Sequence, residues 1–174
     1  MQSSSPATPP RDAQRARLTI GPAGPHFDDW PALLTLLQRA FASMDGRIDP
    51  PSSLTAMDAA ALRAKAAGEH LLLAHHGRTL AGCVFAALRS DCVYLGKLAV
   101  DVQWRGRGVA RQLVDAAAGW ARAQGRTALE LQTRVELLEN HRAFAALGFV
   151  KVGETAHPGY TRPTSITLRR ALSG

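Results

Sequence analysis

An α/β fold is predicted for this chain, a mixed and mostly antiparallel sheet of six or seven strands flanked by about four helices. Three observations predict it. Strand-like runs between residues 70 and 100 follow one another as a meander with short turns. An apolar run at 93–100 then feeds through a Gly-containing loop into an amphipathic run at 107–124. From there to the end, helix-like and strand-like runs alternate.

Taken in order, residues 1–16, with Ser3, Ser4, Ser5, Pro6, Pro9 and Pro10, read as a disordered tail. The prolines oppose the amphipathic helix that a transit peptide needs. Residues 17–174 form one domain, in keeping with a 174-residue chain that is 46% hydrophobic and 20% charged. Residues 17–20 begin a first strand, and 30–42 form a helix with Leu33, Leu34, Leu36, Leu37 and Phe41 at helical spacing. Residues 46–53, reading Gly-Arg-Ile-Asp-Pro-Pro-Ser-Ser, are a loop, and 54–67 a weaker helix stopped at Gly68. Strands at 70–75 and 80–88 meet at Gly77, and the second pairs with 93–100 about a turn near Ser90. That register sets Cys83 opposite the region of Lys97, away from Cys92. Both cysteines therefore read as reduced thiols of a cytoplasmic protein.

In the second half, Val109, Leu113, Val114, Ala117, Trp120 and Ala121 share one face of a helix that Gly125 closes. A strand at 128–133 and a short helix at 140–147, ended by Gly148, follow. Two last strands, 149–154 and 165–169, are joined through His157-Pro158-Gly159-Tyr160-Thr161-Arg162.

Composition excludes some functions. No apolar run approaches the roughly 20 residues of a membrane span, and the N-terminus lacks a continuous secretory core. His75 and His76 are adjacent in a strand and point to opposite faces, so no metal site is expected. The net charge of +7 favours an anionic partner, but the chain has no Lys/Arg block and only ten aromatic residues. A phosphorylated small molecule fits this better than a nucleic acid.

The loop Gln103-Trp104-Arg105-Gly106-Arg107-Gly108-Val109-Ala110 carries the chemistry. A loop entering a helix offers backbone N–H groups with no intrahelical partner, plus the positive end of the helix dipole. Gly106 and Gly108 remove the Cβ atoms that would hold an anion off the main chain, and Arg105, Arg107 and Arg111 add charge. From the loop alone two readings stand, a phosphate cradle or a turn with surface arginines. A dinucleotide fold is disfavoured, because Arg111 occupies the third small position and a meander precedes the loop instead of βαβ units.

The ordered set Leu98-Ala99-Val100, Gln103-x-x-Gly106-x-Gly108, Leu129-Glu130-Leu131, Asn140 and Leu147-Gly148-Phe149 resembles the GNAT superfamily of acyl-CoA-dependent N-acetyltransferases. The likeness is strongest over residues 70–155. It implies acetyl-CoA as cosubstrate, an amine as acceptor, and direct attack in a ternary complex. The amides of Arg105, Gly106, Arg107, Gly108, Val109 and Ala110 would hold the pyrophosphate. Leu98, Ala99 and Val100, on a bulged strand, would hold the acyl carbonyl and pantetheine arm. Asn140 matches a polar contact to that arm, and reads equally as the N-cap of the short helix. Small enzymes of this family often dimerise, so a homodimer is an expectation the resemblance carries.

The chain departs from the family in its catalytic side chains. Phe144 stands where many members have Tyr, and Tyr94 where some have a base Glu. Tyr160 and His157 are the candidate substitutes, as acid and base beside the cleft, and the same residues read equally as a plain Pro158-Gly159 turn with Tyr160 on the surface. Glu130 reads mainly as a structural hydrogen-bonding group. Asp49 and Ser52, in the first long loop, together with Tyr94, are expected on the acceptor side, with Asp49 attracting a cationic amine. The alternative to an enzyme is a non-catalytic acyl-CoA-binding module.

Overall fold

Seven short strand-forming runs, the central ones apolar on both faces, build a single sheet, and the computed structural model describes it over residues 17–174. The tail expected at 1–16 lies outside the described residues. In chain order the elements are β1 (Leu18–Pro22), α1 (Trp30–Phe41), α2 (Ala59–Gly68), β2 (His70–His76), β3 (Thr79–Leu88), β4 (Cys92–Val100), α3 (Val109–Ala123), β5 (Ala128–Arg134), α4 (Leu138–Ala146), β6 (Val150–Thr155) and β7 (Ser165–Ala171). The strands lie in the order β1-β2-β3-β4-β5-β7-β6. Every neighbouring pair is antiparallel except β4 and β5, whose parallel pairing α3 makes possible as the crossover.

Each face of the sheet has its own core. On one side Leu113, Val114, Ala117 and Ala121 of α3 pack on Val84, Val93 and Leu129 of the strands. On the other, Leu33 and Leu37 of α1 and Leu62 of α2 cover Leu71, Leu73 and Phe85. The meander holds the expected register: Cys83 pairs with Ala99, and its Sγ lies 3.5 Å from the Lys97 carbonyl. Both cysteines are free and buried, and burial pushes the Cys83 thiol up to about 12.

Two elements differ from expectation for a local reason. The helix expected at 54–67 is broken, because the Ser52 side chain accepts from Leu54 N to cap a 3-10 turn at Ser53–Ala56. Asp58 then accepts from Ala61 N at 2.8 Å and starts α2 afresh. The short helix begins at Leu138, with Leu137 as its N-cap residue and no side-chain cap bond. Asn140 is therefore inside the helix, which removes its reading as an N-cap.

Candidate functional site

The loop before α3 is shaped by side chain and glycine together. Asp101 accepts from Gln103 N at 3.1 Å and folds residues Val102–Trp104 into a 3-10 turn. Gly106 and Gly108 follow at φ 73° and 76°, a left-handed backbone that other residues adopt only with strain. Gly108 is the N-cap of α3 and supplies no side-chain bond, so the first-turn amides of α3 are left to an external acceptor. A Cβ built at Gly106 or Gly108 meets nothing within 4 Å, so the space outside the loop is open.

The arginines expected around this point are committed elsewhere. Arg105 donates from Nη2 to the Ala40 carbonyl at 2.7 Å, tying α1 to the loop. Arg111 donates to the Ala146 carbonyl of α4 at 3.1 Å, and Arg107 lies over the Trp104 ring. An anion here would meet backbone amides first, with guanidinium charge nearby but not aimed at it.

From the loop the main chain opens into a split sheet. β4 pairs with β5 only over Cys92–Tyr94, against Ala128–Glu130. Beyond Tyr94 and Glu130 the two strands part. The cause lies in β4, where the register against β3 slips by one residue between Cys83 and Phe85, and Lys97 takes φ 49°, the one positive φ among described non-glycine residues. Such a bulge bends the strand and turns its free edge out of the ladder. The bulge implied for the strand before the loop is thus present, at Lys97 and Leu98.

Three adjoining cavities run along this opening. One of about 280 Å³ lies against Gly106, Gly108 and Ala110. It shares Val100, Arg105 and Ala143 with a second of about 520 Å³ between the end of α1, the end of β4 and α4. The second shares Leu98, Asn140 and Phe144 with a third of about 200 Å³ between the parted strands. The series runs from the glycine loop, through a long, largely apolar channel, to a terminus where polar side chains stand among apolar ones.

The terminus is cationic. Its lining includes Lys97 and Arg134 and no carboxylate. Lys97 has no ion-pair partner among the described residues, and burial with repulsion from Lys65 holds its amine below the usual lysine range. Arg134 donates from Nη1 to the His157 ring, 2.8 Å from Nε2, while its Nε and Nη2 are buried without partners. Each buried N–H left without an acceptor costs about 1–3 kcal/mol. A guanidinium only donates, so the network assigns His157 the tautomer in which Nε2 accepts and Nδ1 donates to Thr164 Oγ1, 2.5 Å away.

The expected catalytic and acceptor residues fall mostly outside this lining. Both ring nitrogens of His157 are thereby occupied. The Tyr160 hydroxyl donates to Asp49 Oδ1 at 2.5 Å, which raises its pKa, and Arg162 sits 3.3 Å from Asp49 Oδ2. Asp49, an exposed side chain, thus has two partners in the β6–β7 connection. Ser52 does line the terminal cavity. Tyr94 lies at the apex of the split, under the Arg89 guanidinium, and its phenol is raised mainly by burial. Glu130 holds Arg89 at 2.9 Å and Arg169 at 3.4 Å, the structural role read for it. Asn140 reaches Thr133 Oγ1 at 3.5 Å and lines the channel. Lys97 and Arg134, neither of them a candidate on sequence grounds, also line the terminal cavity. A lone charge in the apolar run Leu95–Val100 was a usable signal for the first; nothing local marks the second.

Comparison with known proteins agrees with this architecture. The family model described as Acetyltransferase (GNAT) family matches residues 30–149. An N-acetylaspartate synthetase from Danio rerio is 35% identical over 86 residues, covering 47% of this chain and 30% of that relative, so the chain spans under a third of its length. The solved structure of Ard1 from Thermoplasma volcanium is similar over 90% of this chain and 99% of that one, with TM-score 0.70 at 18% identity. A GNAT family acetyltransferase from Elizabethkingia anophelis, solved with acetyl-CoA bound, is similar over 89% and 98%, with TM-score 0.64 at 17% identity. At these identities the structures speak for the fold, and the family model, which spans well over half of the chain, for the lineage: the chain belongs to the acetyltransferase (GNAT) family.

Proposed function

We propose that this chain transfers an acetyl group from acetyl-CoA to the primary amine of a small, amino-acid-like acceptor by direct attack in a ternary complex. The parting of β4 from β5 beyond Tyr94 and Glu130 carries the reading, because it joins the glycine loop to a terminus carrying Lys97 and Arg134 through one run of cavities. The residues fit the cosubstrate. Amides of residues 105–110, at the positive end of α3, suit a pyrophosphate. Leu98, Ala99 and Val100 present a strand edge that β5 does not pair, suited to an extended amide-bearing arm and an acyl carbonyl. Asn140 adds a polar contact beside it. A relative named for making N-acetylaspartate supports an amino-acid-like acceptor.

Bound acetyl-CoA supplies the activated acyl thioester. In the transfer a C–N bond forms as the C–S bond breaks, the amine loses a proton and the thiolate gains one. No carboxylate, His or Tyr lines the terminal cavity. A thiolate is a tolerable leaving group, and effective concentration in the cleft supplies much of the acceleration. In this reading Tyr160 and His157 are positioning residues: Tyr160 ties the loop carrying Ser52 to the β6–β7 connection through Asp49, and His157 holds Arg134. The same shortage of proton carriers favours a second reading, a non-catalytic acyl-CoA-binding module.

Thiol release from acetyl-CoA, measured against a panel of amines with the product identified by mass, separates the two. Acylated amine formed in step with free thiol supports transfer. Binding of acetyl-CoA with no acylated product from any amine leaves the binding module.

A further inference from the structure

The end of the channel is built for negative charge. Its two ionisable lining residues, Lys97 on the β4 bulge and Arg134 at the end of β5, are both basic, and they come from the two strands that part around it. Neither is neutralised: Lys97 has no ion-pair partner among the described residues, and Arg134 leaves Nε and Nη2 without acceptors. Its Nη1 is bound to His157, and Nε and Nη2, the edge whose planar fork matches a carboxylate, are buried without an acceptor. Lys97 holds φ 49°, strain that a strand keeps only where its surroundings impose it. Lys65, paired with Glu69 at 2.7 Å, adds repulsion to Lys97 that the Glu69 carboxylate only partly offsets.

We propose that Lys97 and Arg134 form an anion subsite that selects acceptors carrying a carboxylate beside the amine to be acetylated. The subsite rests on the transfer reading above and narrows it to amino acids as against simple amines, polyamines or other cations. A polyamine would bring positive charge to a cavity that already holds two cations without a direct ion-pair partner among the described residues. An amino acid brings the missing anion, with its amine a short distance away. Glu136 also has an unpartnered carboxylate oxygen but does not line this cavity.

The test compares each of a set of amino acids with its own amide as acceptor, in wild type, Lys97→Gln and Arg134→Lys. The wild type is expected to favour the acid over the amide by at least about tenfold in kcat/KM, as loss of a charged hydrogen bond would give. Lys97→Gln should lose about tenfold more on the acid than on the amide, mostly in KM. Arg134→Lys, which keeps the charge and loses the fork, should lose less. Equal use of acid and amide by wild type, or equal losses in Lys97→Gln, overturns the subsite while leaving acetyl transfer intact. Calorimetric titration of the same acids and amides covers the case of no turnover. Acid-selective binding that Lys97→Gln abolishes would then support the subsite although transfer fails, and indifference to the carboxylate would overturn it.

Discussion

Lys97 shows what a functional position costs at the scale of one residue. Folding places its amine in partial burial and near Lys65, so its pKa falls below the ordinary lysine value. The native chain therefore binds fewer protons than the unfolded one between the lowered and the ordinary pKa, and stability rises with pH across that window. Replacing Lys97 by Gln removes an unpartnered cation and should raise the melting temperature near neutral pH by roughly 1–4 °C. A drop in melting temperature would mean that Lys97 holds a stabilising partner instead. Tyr160 acts through a single contact. Its hydroxyl serves Asp49, so Tyr160→Phe should raise the acceptor KM a few fold and leave kcat within about threefold, since one exposed hydrogen bond contributes about 1 kcal/mol. A hundredfold fall in kcat would put the hydroxyl in the chemistry. The glycines of the loop were legible because their requirement is backbone geometry, which the sequence displays. The tie between Asp49 and Tyr160 was not, because residues 111 positions apart meet only through the fold.

Among the elements, the placement of α3 decides the site. Gly82 of β3 lets that helix lie close on the sheet: a Cβ there would stand 2.7 Å from the Ala99 carbonyl oxygen and 3.2 Å from Val109, the first residue of α3. Gly82→Ala should therefore destabilise the fold by about 1–3 kcal/mol, read by denaturant or thermal unfolding, and weaken acetyl-CoA binding in parallel. Unchanged stability would show that β4 and α3 shift freely. Strong periodicity made α1, α3 and the hairpin strands readable to within a residue or two. The break between residues 56 and 59 was not readable, because the caps of Ser52 and Asp58 compete with a continuous helix by single hydrogen bonds. The parting of β4 and β5 was expected through the family resemblance. The sequence alone could not locate it, since the bulge at Lys97 is set by pairing with β3.

The whole molecule carries a formal charge of +7, and its open cavities run from the glycine loop to the pair Lys97 and Arg134. Net charge pointed to an anionic partner and the scarcity of basic blocks and aromatics to a small one; the sheet topology adds a channel leading from the glycine loop. The central claim is that the loop at the start of α3 binds the pyrophosphate of acetyl-CoA, and calorimetric titration of acetyl-CoA into wild type, Gly108→Ala and Gly108→Glu tests it most directly. Both variants carry the strain of a side chain at φ 76°, about 1–2 kcal/mol, but only the second puts a negative charge into the cradle. Wild type is expected to bind saturably, Gly108→Ala somewhat more weakly, and Gly108→Glu with a further loss of at least about tenfold. Absence of binding by wild type, or equal binding by the two variants, would contradict the central claim.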